Sequence, residues 1–155
     1  MRCSLKRASE AAEITHFHGD YFFLSNFYPS AVECEGEWYP TVEHAFQAAK
    51  TFDLDERRAV QYATTAAGAK QIGRQVNLRE DWEQVKLDVM RDLVRKKFRD
   101  RELRAKLVAT GDAELIEGNT WNDKTWGCVM FRGEWIGKNW LGKVLMEVRA
   151  EIAFL

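Results

Sequence analysis

Four short segments hold side chains whose types and spacing can do chemistry. In the first, Glu43-His44-x-Phe46-Gln47-x-x-Lys50, the residues Glu43, Gln47 and Lys50 stand at i, i+4 and i+7 and so share one face of a helix. A carboxylate, an amide and an amine on one face can stabilise a positive charge, move a proton or supply a nucleophile. The first-turn position of Glu43 favours its ionised form through the helix dipole. The same three residues also make an ordinary solvated, charge-paired face. His44 has no partner at metal-ligand spacing, so a hydrogen-bonding role fits it better than ligation.

The second segment, Asn122-Asp123-x-x-Trp126-Gly127, sets a carboxylate beside an indole and a glycine. The indole can stack on a flat base, the carboxylate can bond polar edges, and the glycine lets backbone approach closely. A turn in which Asn122 and Asp123 bond their own backbone would use the same residues. The third, Ser25-Asn26-Phe27-Tyr28-Pro29, holds substrate or merely shapes a loop. The fourth, Gly137-Lys138-Asn139-Trp140-Leu141-Gly142, opens a helix and could attract an anion, but its spacing is not that of a nucleotide-binding P-loop. Beyond it, Glu147 and Arg149 read as surface charges.

The elements that must position these groups are short. Ile14 to Phe27 mixes aromatics with a Gly19-Asp20 turn signal. Ala31 to Tyr39 reads as two strands about a Glu35-Gly36 turn. Thr41 caps a helix running to about Phe52, with Val42, Phe46 and Ala49 as its buried stripe. Helices follow over 54–62, 66–74, 81–98 and 101–109, the longest burying Trp82, Val85, Val89, Leu93 and Lys97. Ala113 to Glu117 reads as a strand, and 118–137 as irregular with short strands near Trp126 and Phe131. A last amphipathic helix covers 140–154. Strands followed by helices, without regular βαβ alternation, predict a mostly helical α+β single domain with a small antiparallel β portion. Residues 1–12 are expected to form a loose leader and 13–155 the domain.

Composition narrows the classes. The chain has 155 residues, 46% hydrophobic and 30% charged, as in globular domains. A net charge of −1 gives no global field for nucleic acid. Long nucleic acid is therefore a possible partner that charge does not indicate. No apolar run is long enough to span a bilayer. Cys3, Cys34 and Cys128 form no pair pattern, which argues for no zinc, no disulfide framework and a reducing cytoplasm. No cofactor is indicated. The 6 Trp, 9 Phe and 4 Tyr suit a core first and base stacking second.

Taken in order, FLSNFYPS (23–30), YPTVEHAFQAAKTFD (39–53), WEQVKLDVMRDLVRKKF (82–98), LVATGDAELIEGN (107–119), NDKTWG (122–127) and GKNWLGKVLMEVR (137–149) resemble the NADAR, or YbiA-like, family. The resemblance implies a compact α+β fold with a pocket for a ribosylated base, and an N-glycosidase. Family branches act on phosphorylated ribosylamino-pyrimidine intermediates of riboflavin synthesis or on ADP-ribosylated guanine. The small-molecule partner it implies is such a ribosylated base. On matched positions it implies Glu43, Lys50 and Asp123 as catalytic. Ser25, Asn26, Phe27, Gln47, Trp82, Trp126, Gly127 and Asn139 become substrate-binding positions. Cys128-Val129 and Trp135 depart from the family pattern in the substrate-facing region and bear on substrate identity more than on reaction type.

N-glycoside cleavage passes through an oxocarbenium-like state that a carboxylate can stabilise while activating water. Glu43 is placed nearest the ribose. Lys50 either neutralises phosphate or attacks C1 of the opened ribose as an amine. Trp126, with Phe27, stacks the leaving base, and Arg74 and Lys138 are candidate phosphate contacts. A domain that binds ADP-ribose or NAD without turnover is the competing reading. The expectation is that the early acid and amine meet the later acid and indole around one cavity.

Overall fold

The structure, a computed structural model, describes residues 13–154, so the leader expected at 1–12, with Cys3, lies outside the described residues. In chain order come β1 (Glu13–Ile14), a 3-10 helix (Gly19–Leu24), β2 (Val32–Cys34), β3 (Glu37–Tyr39), α1 (Val42–Ala48), α2 (Leu54–Gln61) and α3 (Ala66–Gly73). Then follow α4 (Trp82–Lys97), α5 (Arg101–Ala109), β4 (Glu114–Leu115), β5 (Val129–Phe131), β6 (Glu134–Ile136) and α6 (Trp140–Ala153). The architecture is α+β and mostly helical, with strands paired only in twos. The chain divides into two compact units, one of residues 26–100 and one of residues up to 25 with those from 101 onward.

In the 26–100 unit, β2 and β3 form an antiparallel hairpin with Val32 opposite Tyr39 and Cys34 opposite Glu37. Glu35 at φ 51° and Gly36 at φ 87° make the two-residue turn, whose left-handed pair matches strand twist. Lys96 of α4 holds the hairpin by donating to the Glu33 carbonyl at 3.0 Å. Each following helix starts on the cap its sequence offers. The Thr41 hydroxyl accepts from His44 N at 3.1 Å, Asp53 Oδ1 from the Asp55 and Glu56 amides at 2.9 and 3.0 Å, and the Thr65 hydroxyl from Gly68 N at 3.0 Å.

The α1 helix packs against α2, α3 and α4. All seven of its residues are buried, polar ones included. It also stops at Ala48, short of the expected Phe52. Lys50 N and Thr51 N bond back three residues to the Gln47 and Ala48 carbonyls at 3.2 and 3.3 Å, a tightened last turn. The chain then leaves, because buried Thr51 accepts from Asp53 N at 3.1 Å, and Asp53 has begun the next cap. On α4 the buried positions are Trp82, Met90, Leu93, Val94 and Lys97, so Met90 rather than Val89 faces the core.

Lys97 is 2% exposed, and burial lowers its pKa from 10.5 to about 7. Its Nζ lies 5.5 Å from the Tyr28 ring centroid and 5.3 Å from that of Phe98, so aromatic faces meet the charge. Between pH 7 and 10.5 the unfolded chain keeps a proton that the folded chain has released. The contribution of Lys97 to the unfolding free energy is therefore lowest below pH 7 and is expected to rise by a few kcal/mol, at about 1.4 kcal/mol per pKa unit, as pH climbs through this window. Urea unfolding at pH 7 and pH 9.5 checks this, and Lys97→Met should flatten the slope and raise stability at pH 7.

The other unit carries a pairing that spacing did not reveal. β1 lies parallel to β4, Glu13 opposite Glu114 and Ile14 opposite Leu115, so the β portion is antiparallel only in the two hairpins. The strand expected at 113–117 is assigned only at Glu114–Leu115. Ile116 N and Gly118 N nevertheless go on bonding to the Ile14 and Thr15 carbonyls at 2.9 and 3.0 Å. The Gly19-Asp20 signal opens the 3-10 helix rather than a simple turn. The irregular region forms β5 and β6 about an Arg132-Gly133 turn, with no strand at Trp126. Along α6, Leu141, Val144, Leu145 and Val148 are buried, and the helix packs on β4 and α5. Arg149 is no plain surface charge: it donates to the Thr110 hydroxyl and the Ala113 carbonyl, both at 2.9 Å. Among the described residues no helix is long and apolar enough to cross a membrane.

Candidate active site

Buried polar side chains mark where the molecule departs from plain core packing. Of the nine among the described residues, seven, Asn26, Thr41, Glu43, His44, Gln47, Thr51 and Lys97, belong to the 26–100 unit, and three of those are on α1. His44 is accounted for structurally: its Nε2 donates to the Ala63 carbonyl at 2.9 Å, and its Nδ1 pairs with the Thr41 hydroxyl at 2.8 Å. This ties α1 to the segment after α2 and leaves the imidazole no lone pair for a ligand.

Glu43 and Gln47 are different. Glu43 is 7% exposed, and Gln47 Nε2 donates to its Oε1 at 2.8 Å. Burial pushes the Glu43 carboxyl up, opposed by the Gln47 bond and by the charges of Lys70 and Lys50. The Gln47 Oε1 atom is buried and has no hydrogen-bond partner among the described residues. An orphaned acceptor beside a displaced carboxylate is unusual in a core and common where a ligand is awaited. Lys50 lies just past the helix end and is half-buried. Burial pushes its amine down, Glu43 opposes, and Arg74, Lys70 and Lys86 push it further down. Arg79 secures this turn, its N donating to the Lys50 carbonyl at 2.7 Å.

The structure thus gathers Glu43, Gln47 and Lys50 as their spacing predicts, but in a buried setting with Lys50 on a turn. It adds Lys70 and Lys86 to Arg74 as cations acting on Lys50. Lys70 was legible only indirectly. The run Ala66-Ala67-Gly68-Ala69 marks a helix small enough to approach closely, and Lys70 is one turn before the contact residue Gly73. A Cβ at Gly73 would stand 1.9 Å from Gln47 Oε1 and 2.9 Å from Gln47 Cβ. Gly73→Ala is expected to displace the amide that orients Glu43, costing about 1–3 kcal/mol of stability. Turnover should fall on the order of 10- to 100-fold. Melting curves and steady-state rates on the purified variant check both.

The second grouping lies in the other unit. Asp123 Oδ1 accepts from Thr125 N at 3.0 Å and Trp126 N at 2.9 Å, the side-chain turn that the residue types allowed. Asn119 locks the loop, accepting from Asp123 N at 3.0 Å and donating to the Asp123 carbonyl at 2.8 Å. Trp126 meets Trp140 edge to face, with centroids 5.4 Å apart. Gly127 approaches backbone so closely that a Cβ would lie 2.2 Å from the Glu117 carbonyl oxygen. Asn139, left-handed at φ 52°, accepts from Glu117 N at 3.0 Å and donates to the Leu115 carbonyl at 2.9 Å. Lys138 has its Nζ 5.0 Å from the Trp140 ring centroid.

The remaining positions are placed as follows. Ser25 closes the 3-10 helix, its N donating to the Phe22 carbonyl at 2.9 Å. Asn26 is buried, with Nδ2 3.5 Å from Met90 Sδ, and its carbonyl accepts from Glu43 N at 3.1 Å. It therefore fixes the start of α1. Phe27 is half-buried. Trp82 is buried with its ring 5.0 Å from that of Phe46. Among the described residues no three His, Cys, Asp or Glu side chains come together as a metal cluster.

Comparison with known proteins follows the same line. The NADAR domain model matches residues 14–153. The chain is 42% identical over 137 residues to the N-glycosidase YbiA of Escherichia coli (strain K12), covering 86% of this chain and 83% of that one. It is 39% identical over 133 residues to a riboflavin biosynthesis protein of Vibrio vulnificus (strain YJ016), covering 84% of this chain but 35% of that longer one. The NMR structure of Escherichia coli YbiA is similar at a TM-score of 0.76 and 37% identity, over 95% of this chain and 92% of that one.

Proposed function

We propose, from the premise that this chain belongs to the NADAR family and hydrolyses N-glycosyl bonds, that its substrate joins a phosphorylated ribose to a nitrogenous base. One observation carries the reading: a buried acid and amide, Glu43 and Gln47, and a half-buried amine, Lys50, lie among the cations Lys70, Arg74 and Lys86. The cations supply attraction for a sugar phosphate or diphosphate. Glu43, held by Gln47, stabilises positive charge on the ribose as the base departs, and takes the proton of the attacking water. The base leaves with a proton, and the ribose C1 gains the hydroxyl. Lys50 either attacks C1 as an amine or neutralises phosphate. Asp123, Trp126 and Asn139 are the further positions we assign to substrate, each anchored by the loop bonds described above.

Ribosylamino-pyrimidine phosphate and ADP-ribosylated guanine are the two substrate classes we assign. The name of the Vibrio vulnificus relative favours the first. Incubating the purified chain with each and separating products by chromatography is the direct test. Release of free base from either supports the reading. Recovery of both substrates intact, alongside measurable ADP-ribose affinity, would show a non-catalytic ADP-ribose-binding module instead. We place the protein in a reducing cytoplasm, where the free thiols of Cys34 and Cys128 are stable.

A further inference from the structure

We infer that His16 and His18 form a surface seat for a divalent transition-metal ion of the zinc class. The two residues flank Phe17, which is buried while both histidines are exposed. The chain is extended here, with His18 at φ −142° and ψ 175°. Side chains two apart on an extended chain stand on one side, so both imidazoles leave the surface together. Their ring centroids are 5.3 Å apart, with the planes inclined at 45°. A zinc ion holds an imidazole nitrogen at about 2.0–2.1 Å, which puts the ring centroid roughly 3.2 Å from the metal. Two rings at the tetrahedral angle then have centroids about 5.2 Å apart, and at a right angle about 4.5 Å. The observed spacing is that of two ligands to a four-coordinate zinc ion.

The pair is preorganised. The Thr15 hydroxyl lies 2.9 Å from His16 Nδ1, and Trp135 meets the His16 ring edge-on, with centroids 6.0 Å apart. A proton on Nδ1 donated to that hydroxyl puts the ligating lone pair on Nε2, the arrangement that orients metal-bound imidazoles. The backbone is held on both sides. The Thr15 carbonyl accepts from Gly118 N at 3.0 Å, and the His18 carbonyl from Tyr21 N at 3.1 Å. Among the described residues no hydrogen bond occupies the ring of His18. No third His, Cys, Asp or Glu among them joins the pair, so water fills the other positions and the ion exchanges readily. Imidazole selects zinc and its neighbours over magnesium, which takes oxygen ligands. The cysteine pattern argues only against a thiolate site. His44, the third histidine of the chain, has both ring nitrogens engaged in the core and contributes nothing here. The seat shares no residue with the reaction proposed above and stands or falls apart from it.

The test titrates zinc chloride into the untagged full chain by calorimetry, with Cys3→Ser in every sample so that this thiol does not compete. One equivalent should bind. In NMR spectra the ring-proton signals of His16 and His18 should shift while those of His44 stay in place. His16→Ala and His18→Ala should each weaken binding at least about tenfold, since each leaves a single ligand. Both histidines are exposed, so their removal leaves the fold in place. A large excess of magnesium chloride should leave the zinc isotherm unchanged. No heat beyond dilution, with no shift of the two histidines, overturns the inference. So does zinc affinity that survives either substitution, or equal competition by magnesium.

Discussion

Glu43→Gln is expected to lower kcat by about 10²- to 10⁴-fold while leaving the fold at least as stable as in the natural chain. The two outcomes have one cause. Burial pushes the Glu43 carboxyl up from its ordinary value of 4.5. As pH rises past 4.5, the unfolded chain releases this proton while the folded chain retains it. The folded state therefore loses stability until pH passes the raised value, and the loss is complete above it. A glutamine keeps the volume and an oxygen for the Gln47 bond but carries no ionisable group, so that loss disappears. What it cannot do is accept the proton of the attacking water or offset charge on the ribose. A purely structural role for Glu43 predicts the reverse, a stability change with rates intact. Melting temperature and kcat measured together on the folded variant separate the two, and near-normal turnover would remove Glu43 from the reaction. In the natural chain the titration of Glu43 should set a rising limb of the rate profile above pH 4.5, and that of Lys50 a second limb below 10.5, rising if Lys50 attacks as an amine and falling if it neutralises phosphate, because Glu43 is pushed up and Lys50 down. The two limbs belong to the coupled pair rather than to either residue.

What could be seen beforehand divides along physical lines. Caps and periodicity are local, so Thr41, Asp53 and Thr65 announced their helices, and α2 to α6 fall within a residue or two of their expected spans. The length of α1 was not local. The repeat of apolar residues ran on past Ala48, but a buried threonine and the next cap competed for the same backbone and ended the helix early. The burial of the acid–amide face was not local either. It depends on Gly73 coming within what would be clash distance of Gln47, a contact between separate helices. The parallel pairing of Ile14 with Leu115 joins residues far apart in the chain, with no turn between them to signal it. In the 119–127 loop the residue types left two uses open. The structure shows the turn-forming use of Asp123 Oδ1 directly, while contact with substrate is part of the proposal.

Lys50→Ala is expected to lower kcat by about 10³-fold, and Lys50→Arg is expected not to restore it. The arginine variant carries the weight, because it keeps the positive charge and removes the amine. If Lys50 served mainly to neutralise phosphate, arginine would rescue turnover, and its pairing with phosphate would lower KM. Its surroundings favour the amine role. Three cations, Arg74, Lys70 and Lys86, already act on this point, so a fourth fixed charge adds least there. Those same cations, together with burial, push the Lys50 amine down and raise the fraction that is neutral and nucleophilic. Attack on C1 forms a carbon–nitrogen bond to Lys50 and expels the protonated base. Opening of the ribose then gives an imine that water cleaves, restoring the amine. Borohydride added during turnover would reduce the imine and fix the sugar on Lys50, detectable as added mass on the peptide that contains it. Full rescue by arginine, with no trapped adduct in the natural chain, would assign Lys50 to phosphate and leave Glu43 as the group that acts at C1.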